Sequence, residues 1–270
     1  LSAPWRALQG RQGTGAGQAG QVRLSGFTAS TLCPATGFCL VLDGATGGNN
    51  AFAIMALLAA YTHFQDPAYL NSALTIGNWI YDQLWDSSGT GYGGYFVGYP
   101  DEGAAKVLQL GKSTENNADI FAAFTALANA VGDPSASTMW TNRANIAGDF
   151  VMQMFEPATG HFFAGTSPVG ASVGPGINPN GAAKGNDVIN TFDFLDAQTF
   201  TTLAMAGSVR YQPQIDWRRP LQWTLSAYPS TVVAGGLTFQ GFDLIEPSEH
   251  QPNDVPGVAW GAGRGDERQH

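Results

Sequence analysis

Residues 46–70, TGGNNAFAIMALLAAYTHFQDPAYL, and residues 113–137, STENNADIFAAFTALANAVGDPSAS, carry the fold between them. Laid one under the other without a gap, their Asn-Asn pairs coincide and so do their Asp-Pro pairs. Two unrelated dipeptides held at one spacing mark a repeated supersecondary unit. In each copy an Ala-rich apolar stretch, about 49–64 and 116–131, has the length of a helix and ends at a short turn. Asp66-Pro67 and Asp133-Pro134 then supply an N-cap and a first-turn proline, whose missing N–H would be unpaired there anyway. Second helices are expected over about 67–85 and 134–155.

The two helices of a unit differ in pattern. Leu70, Leu74, Gly77, Ile80 and Leu84 mark one face of the second helix, as do Trp140, Ala144, Ala147, Val151 and Met154 in the next copy. AFAIMALLAAY, in contrast, is apolar nearly all round and should be enclosed by protein. A third copy begins at NDVINTFDFLDAQTFTTLAMAG (186–207), where Asp196-Ala197 takes the place of Asn117-Ala118, and a shorter outer helix follows over about 217–228. Each unit closes in a glycine-rich aromatic turn: WDSSGTGYGGYF (85–96), FEPATGHFFAGT (155–166) and, more loosely, VVAGGLTFQGFDL (232–244).

Enclosed and one-sided helices in alternation bury their surface when hairpins stand side by side, because no single pair can cover the enclosed helix. The expected fold is all-α: an (α/α) toroid of helical hairpins, complete or partial, with units at about 46–110, 113–185 and 186–245. A globular bundle carrying one old duplication is the alternative. Residues 1–31, rich in Gly and Gln without periodicity, read as an arm, and 32–270 as the toroid domain.

Composition narrows the function. Twelve Lys and Arg against 21 Asp and Glu give a net charge of -9, which argues against nucleic acid and anionic membranes and leaves a neutral ligand easier to hold. No apolar run is long enough to span a bilayer. Cys33 and Cys39, in CPATGFC, are spaced too widely for a CxxC redox pair and have no nearby His to complete a zinc site; a small disulfide loop or two thiols are the readings left. His63, His161, His250 and His270 do not fall at metal-ligand spacing, and no phosphate-cradling or nucleophile-elbow motif occurs, so neither metal nor cofactor is expected. Few lysines, many Gly, Thr and Asn, and the cysteine pair point to a secreted or extracellular protein.

Unequal connections locate the working end. Turns within a hairpin are short, whereas the stretches from about 86 to 113 and from 156 to 187 are long and gather where the inner helices start. Glu115 and Asp119 lie at the start of the second inner helix, Asp193 and Asp196 at the third, and Asp43 upstream of the first. Tyr92, Tyr95, Tyr99, His161 and Phe163 rim the same opening, and Asn50, Asn116, Asn117 and Gln198 add amides. Carboxyl groups among flat rings suit glycosidic chemistry: rings stack on sugar faces, one carboxylic acid protonates the leaving oxygen, and another carboxylate activates water or attacks carbon. The plainer alternative makes these acids caps and dipole complements. A helix start lowers a carboxyl pKa whereas a general acid needs it raised, so burial or like-charge repulsion has to win.

GKSTENNADIFAAF, MFEPATGHFFAGT and INTFDFLDAQTFTTLA together resemble the six-hairpin glycosidase superfamily over roughly residues 40–260. The resemblance implies an (α/α)6 toroid with its cleft at the inner-helix N-termini and Asp or Glu as catalytic acids. Glu115 is then the motif match, with Asp43, Asp119, Asp193 and Asp196 as candidates. The chain departs from the pattern in offering three clear hairpins, so either it is a fragment of a longer toroid, or the arms complete the core, or self-association with another chain closes the ring. The expected function is a secreted glycoside hydrolase acting on a neutral or weakly charged polysaccharide. A polysaccharide lyase using Tyr92, His161 and Asn116, and a non-catalytic glycan-binding module, are the alternatives.

Overall fold

A computed structural model describes residues 45–99, 108–174 and 176–245. The expected arm (1–31), Asp43, Cys33 and Cys39 lie outside the described residues.

Three helical hairpins follow one another among the described residues. The first pairs α1 (Gly47–Phe64) with α2 (Pro67–Leu84), the second α3 (Thr114–Ala130) with α4 (Pro134–Gln153), and the third α5 (Leu195–Met205) with α6 (Arg218–Ala227). Their starts obey the local chemistry. Asp66 and Asp133 cap α2 and α4, accepting from the N–H groups of Ala68 and Ala136 at 2.9 Å each, and a proline follows each cap. Thr46 and Ser113 cap α1 and α3 by accepting from Asn49 and Asn116, so both inner helices begin two residues earlier than their apolar runs.

α3 packs against α1, α5 and its own partner α4. The core runs through Ile54 of α1, Phe124 and Leu127 of α3, Ile80 of α2 and Trp140 of α4. Gly77 belongs to α2's buried face for a steric reason: a Cβ there would lie 2.6 Å from a ring carbon of Trp140. The expected full enclosure of inner helices holds for α3 only. Phe52 of α1 is 48 % exposed and Leu203 of α5 is 82 % exposed, because each of these helices has an inner neighbour on one side alone among the described residues.

The all-α expectation holds for the hairpins and not for what joins them. Long connections must pair their backbone groups somewhere, and here they do so in short antiparallel strands. In chain order these are β1 (Ala45–Thr46), β2 (Gly98–Tyr99), β3 (Lys112–Ser113), β4 (Phe155–Glu156), β5 (His161–Phe162), β6 (Gly165–Pro168), β7 (Ala183–Lys184), β8 (Asp187–Asn190), β9 (Pro229–Ala234) and β10 (Leu237–Phe242). β3, β6, β8 and β7 form a four-stranded sheet in that order, and the others pair as β1 with β2, β4 with β5 and β9 with β10.

Each connection returns to the start of its own inner helix. The first N–H of α1, α3 and α5 (Gly47, Thr114 and Leu195) donates to the carbonyl of Val97, Ala164 and Leu244, at 2.9, 2.8 and 2.9 Å. One residue earlier, the N–H of Phe96, Phe163 and Asp243 donates to the outer helix's end at Leu84, Met154 and Tyr228. The three copies are thus superimposable in their bonding, and this fixes the register of the third. Asp196 is the second residue of α5 as Glu115 is of α3, so Asp196 matches Glu115 and not Asn117, a shift of two from the sequence alignment. No described helix is long and apolar enough to cross a membrane.

Candidate active site

In each hairpin the returning connection bonds the first N–H of the inner helix, which brings the helix's second residue beside that connection. Gly48, Glu115 and Asp196 hold that position in α1, α3 and α5. Glu115 and Asp196 line one cleft of about 430 Å³ whose walls carry Leu110, Ile177, Phe194 and Leu244 together with Lys112 and Asn190. Acids 81 positions apart in sequence therefore face one space.

Burial governs how these acids hold their protons. The Glu115 carboxyl is pushed up to about 9, by loss of water first and then by the like charges of Asp196 and Asp119. Asp119, one turn further along α3, is raised to about 8 by burial and by Asp196. Asp196 rises only to about 6, because the backbone N–H of Ala197, 2.8 Å from Oδ1, and its own amide stabilise the anion against the cost of burial. The dry surroundings and mutual repulsion outweigh the helix-start field that would lower these values.

Asp119 stands outside the cleft lining, only 5 % exposed, and its Oδ2 makes no hydrogen bond among the described residues. It faces Gly48, whose N–H donates to Asn116 Oδ1 at 2.6 Å. Lys112 is among the residues lining the cleft, but its side chain is fully buried and its Nζ donates to Asp86 Oδ2 and Asp187 Oδ2 at 2.6 Å each. Among the described residues no three His, Cys, Asp or Glu side chains are grouped to hold a metal ion.

Several residues expected at the mouth are employed elsewhere. Asp193 faces His161, with Oδ1 3.0 Å from Nε2, and the imidazole is buried, bonded through Nδ1 to Thr159 Oγ1 and stacked on Trp223. Tyr95 is fully buried in the core and its hydroxyl donates to the Arg143 carbonyl. Asn117 and Gln198 spend their amides on backbone of the preceding connection. Asn50 donates to the Thr46 carbonyl and Asn116 accepts from Gly48. Tyr92 donates to the Ala182 carbonyl, Tyr99 packs near Trp79 and Phe163 lies edge-on to His161; none of the three lines the cleft. The apolar wall is instead Leu110, Ile177, Phe194 and Leu244, none of them among the rings expected from the sequence. The available signal was position: Phe194 and Leu244 both adjoin the start of α5, one in sequence and one through the Leu195 N–H bond.

No family model matches the chain, and no curated protein matches it in sequence. Solved structures do share its fold. A family 76 glycoside hydrolase (mannosidase) from Bacteroides thetaiotaomicron superposes with a TM-score of 0.50 at 14 % identity, covering 74 % of this chain and 50 % of that one. A cellobiose 2-epimerase from Bacillus thermoamylovorans gives 0.51 at 11 % identity over 84 % of this chain and 53 % of that one. A sugar epimerase from a ruminal bacterium gives 0.50 at 14 % identity over 84 % and 52 %. The chain thus spans about half the length of these structures, and it shares their helical-hairpin fold.

Proposed function

We propose that the chain carries the acid–base site of a glycoside hydrolase acting on a neutral glycan. The observation that carries this reading is the pairing of Glu115 with Asp196 in one cleft, two carboxyl groups whose surroundings push their proton affinities apart. Between about pH 6 and 9 Asp196 is an anion and Glu115 an acid. Glu115 passes its proton to the glycosidic oxygen as the bond from that oxygen to the anomeric carbon breaks. The Asp196 carboxylate takes a proton from the water that attacks that carbon, or attacks the carbon itself; the anomer first released tells these routes apart. Leu110, Ile177, Phe194 and Leu244 offer the apolar faces against which a sugar ring lies.

The charge of the cleft supports a neutral substrate. Lys112 is the basic residue of its lining, and its ammonium is buried and claimed by two carboxylates. A uronate would meet Asp196 with no spare cation beside it among the described residues, which disfavours a lyase and an acidic glycan. The composition and the Cys33, Cys39 spacing support a place outside the cell, where polymeric glycans are met. A glycan-binding module without turnover remains the contrasting class.

The test is reducing-end release from a panel of neutral oligosaccharides, α-mannosides and β-glucosides included, with an acidic oligogalacturonide for contrast. Glu115→Gln and Asp196→Asn should each reduce turnover by about a hundredfold or more while binding persists. Turnover retained in both variants would remove the proposed mechanism. Binding without turnover in the unaltered protein would favour the module.

A further inference from the structure

We infer that Asp119 is a positioning residue of this site: from a dry seat between α3 and α1 it makes the Glu115 proton harder to lose, without touching the substrate. The inference rests on the hydrolase reading for its purpose but not for its test.

Three structural facts carry it. Asp119 follows Glu115 by four residues in α3, which sets the two side chains one above the other on the same helix face. The Asp119 carboxyl is nearly sealed, and Oδ2 lacks a hydrogen bond among the described residues, so no donor stabilises negative charge on that oxygen. It also stands outside the cleft lining while Glu115 and Asp196 line it, which separates it from the groups that meet a ligand.

Gly48 keeps that seat closed. A Cβ at this position would sit 2.2 Å from Asn116 Oδ1 and 3.1 Å from Asp119 Oδ2, so only a bare backbone lets α1 come this close. The Gly48 N–H then holds the Asn116 amide across the gap between the helices. A side chain there would pry the helices apart and admit water to the carboxyl.

The charged groups around Asp119 and Glu115 define the effect. α5 contributes Asp196, α3 contributes the two acids themselves, and α1 contributes the uncharged Gly48 backbone. Lys112 of β3 lines the same cleft but is held by Asp86 and Asp187. As pH rises, Asp196 ionises first and Asp119 second, and the second negative charge then opposes loss of the Glu115 proton. The acid form of Glu115 is thereby preserved to higher pH.

Carboxyl 13C NMR titration of protein labelled at Asp and Glu tests this, with the Glu115 resonance assigned through Glu115→Gln. In the unaltered protein the Glu115 resonance should report the ionisation of Asp196 and then of Asp119 before its own step. In Asp119→Asn the step at the Asp119 midpoint should vanish, and the midpoint of Glu115's own step should fall by about one pH unit. The absence of any step at the Asp119 midpoint in the unaltered protein, or an unmoved Glu115 midpoint in Asp119→Asn, overturns the inference. Should Asp119→Asn not fold, the presence or absence of that step in the unaltered protein decides by itself. Because the readout needs no turnover, a lowered midpoint in a protein that cleaves nothing would sink the hydrolase reading alone. An unmoved midpoint beside Glu115-dependent cleavage would sink only the role of Asp119.

Discussion

Gln198 grips both backbone groups of Phe162, accepting from its N–H at 2.8 Å and donating to its carbonyl at 2.7 Å. Asn117 holds Tyr95 in the same manner, at 2.9 and 3.0 Å. Both amides sit at the fourth residue of an inner helix and also donate to the carbonyl four residues back, at Phe194 and Ser113. A side chain so engaged ties each connection to the next hairpin and so aligns neighbouring units. Replacing Gln198 or Asn117 by Leu leaves a buried N–H and C=O without partners and should cost about 2–4 kcal/mol of stability, read as a lower denaturation midpoint. Weakened oligosaccharide binding at unchanged stability would instead return these amides to the substrate.

Lys112 is the second prediction. Its ammonium is fully buried between Asp86 and Asp187, whose side chains are 7 % and 6 % exposed. Burial alone would push the Asp86 carboxyl up, but the Lys112 ammonium and Ser88 more than offset it and hold the value below the ordinary one. Lys112→Met leaves two dry carboxylates facing each other and should cost about 3–5 kcal/mol, seen as a large fall in thermal midpoint. An unchanged midpoint would mean that water reaches the pair.

The dependence of turnover on pH follows from the cleft acids. Under the proposed hydrolase mechanism Asp196 is ionised and Glu115 protonated, so kcat/KM should rise through about pH 6, hold a plateau and fall above about pH 9. These limbs belong to the coupled group rather than to either residue alone. An optimum near pH 4, with loss of activity by pH 6, would show that Glu115 is not held in its acid form.

Stability should run against alkaline pH. Glu115 and Asp119 keep their protons in the folded chain well above the pH at which the unfolded chain releases them. The folded state therefore binds more protons between ordinary carboxylate values and about 8, and each retained proton lowers stability by about 1.4 kcal/mol per pH unit as pH rises. Asp86 has the opposite sign, but its contribution is lost only as pH falls below the ordinary carboxylate range, outside this window. Thermal midpoints should thus fall from pH 5 to pH 8, and Asp119→Asn should flatten the slope. A midpoint that rises over this interval would contradict the burial of these acids.

The chain's own sequence determined its hairpins, because a cap, a proline and an apolar period act within a few consecutive residues. Asp66-Pro67 and Asp133-Pro134 begin helices where the sequence says, and α2, α4 and α6 end within two residues of the expected positions. It also pointed to Glu115 and Asp196 by their place at helix starts. It could not tell those two from Asp193 or Gln198, which stand about as near to a helix start in sequence, or from Tyr95 in the connection before α3. That choice belongs to the returning connections, whose carbonyls at Val97, Ala164 and Leu244 lock onto inner helices dozens of residues away. They bury Tyr95, turn Asp193 toward His161, and leave Glu115 and Asp196 facing one space. Local propensity writes the elements; only long-range hydrogen bonding and exclusion of water decide which acids meet.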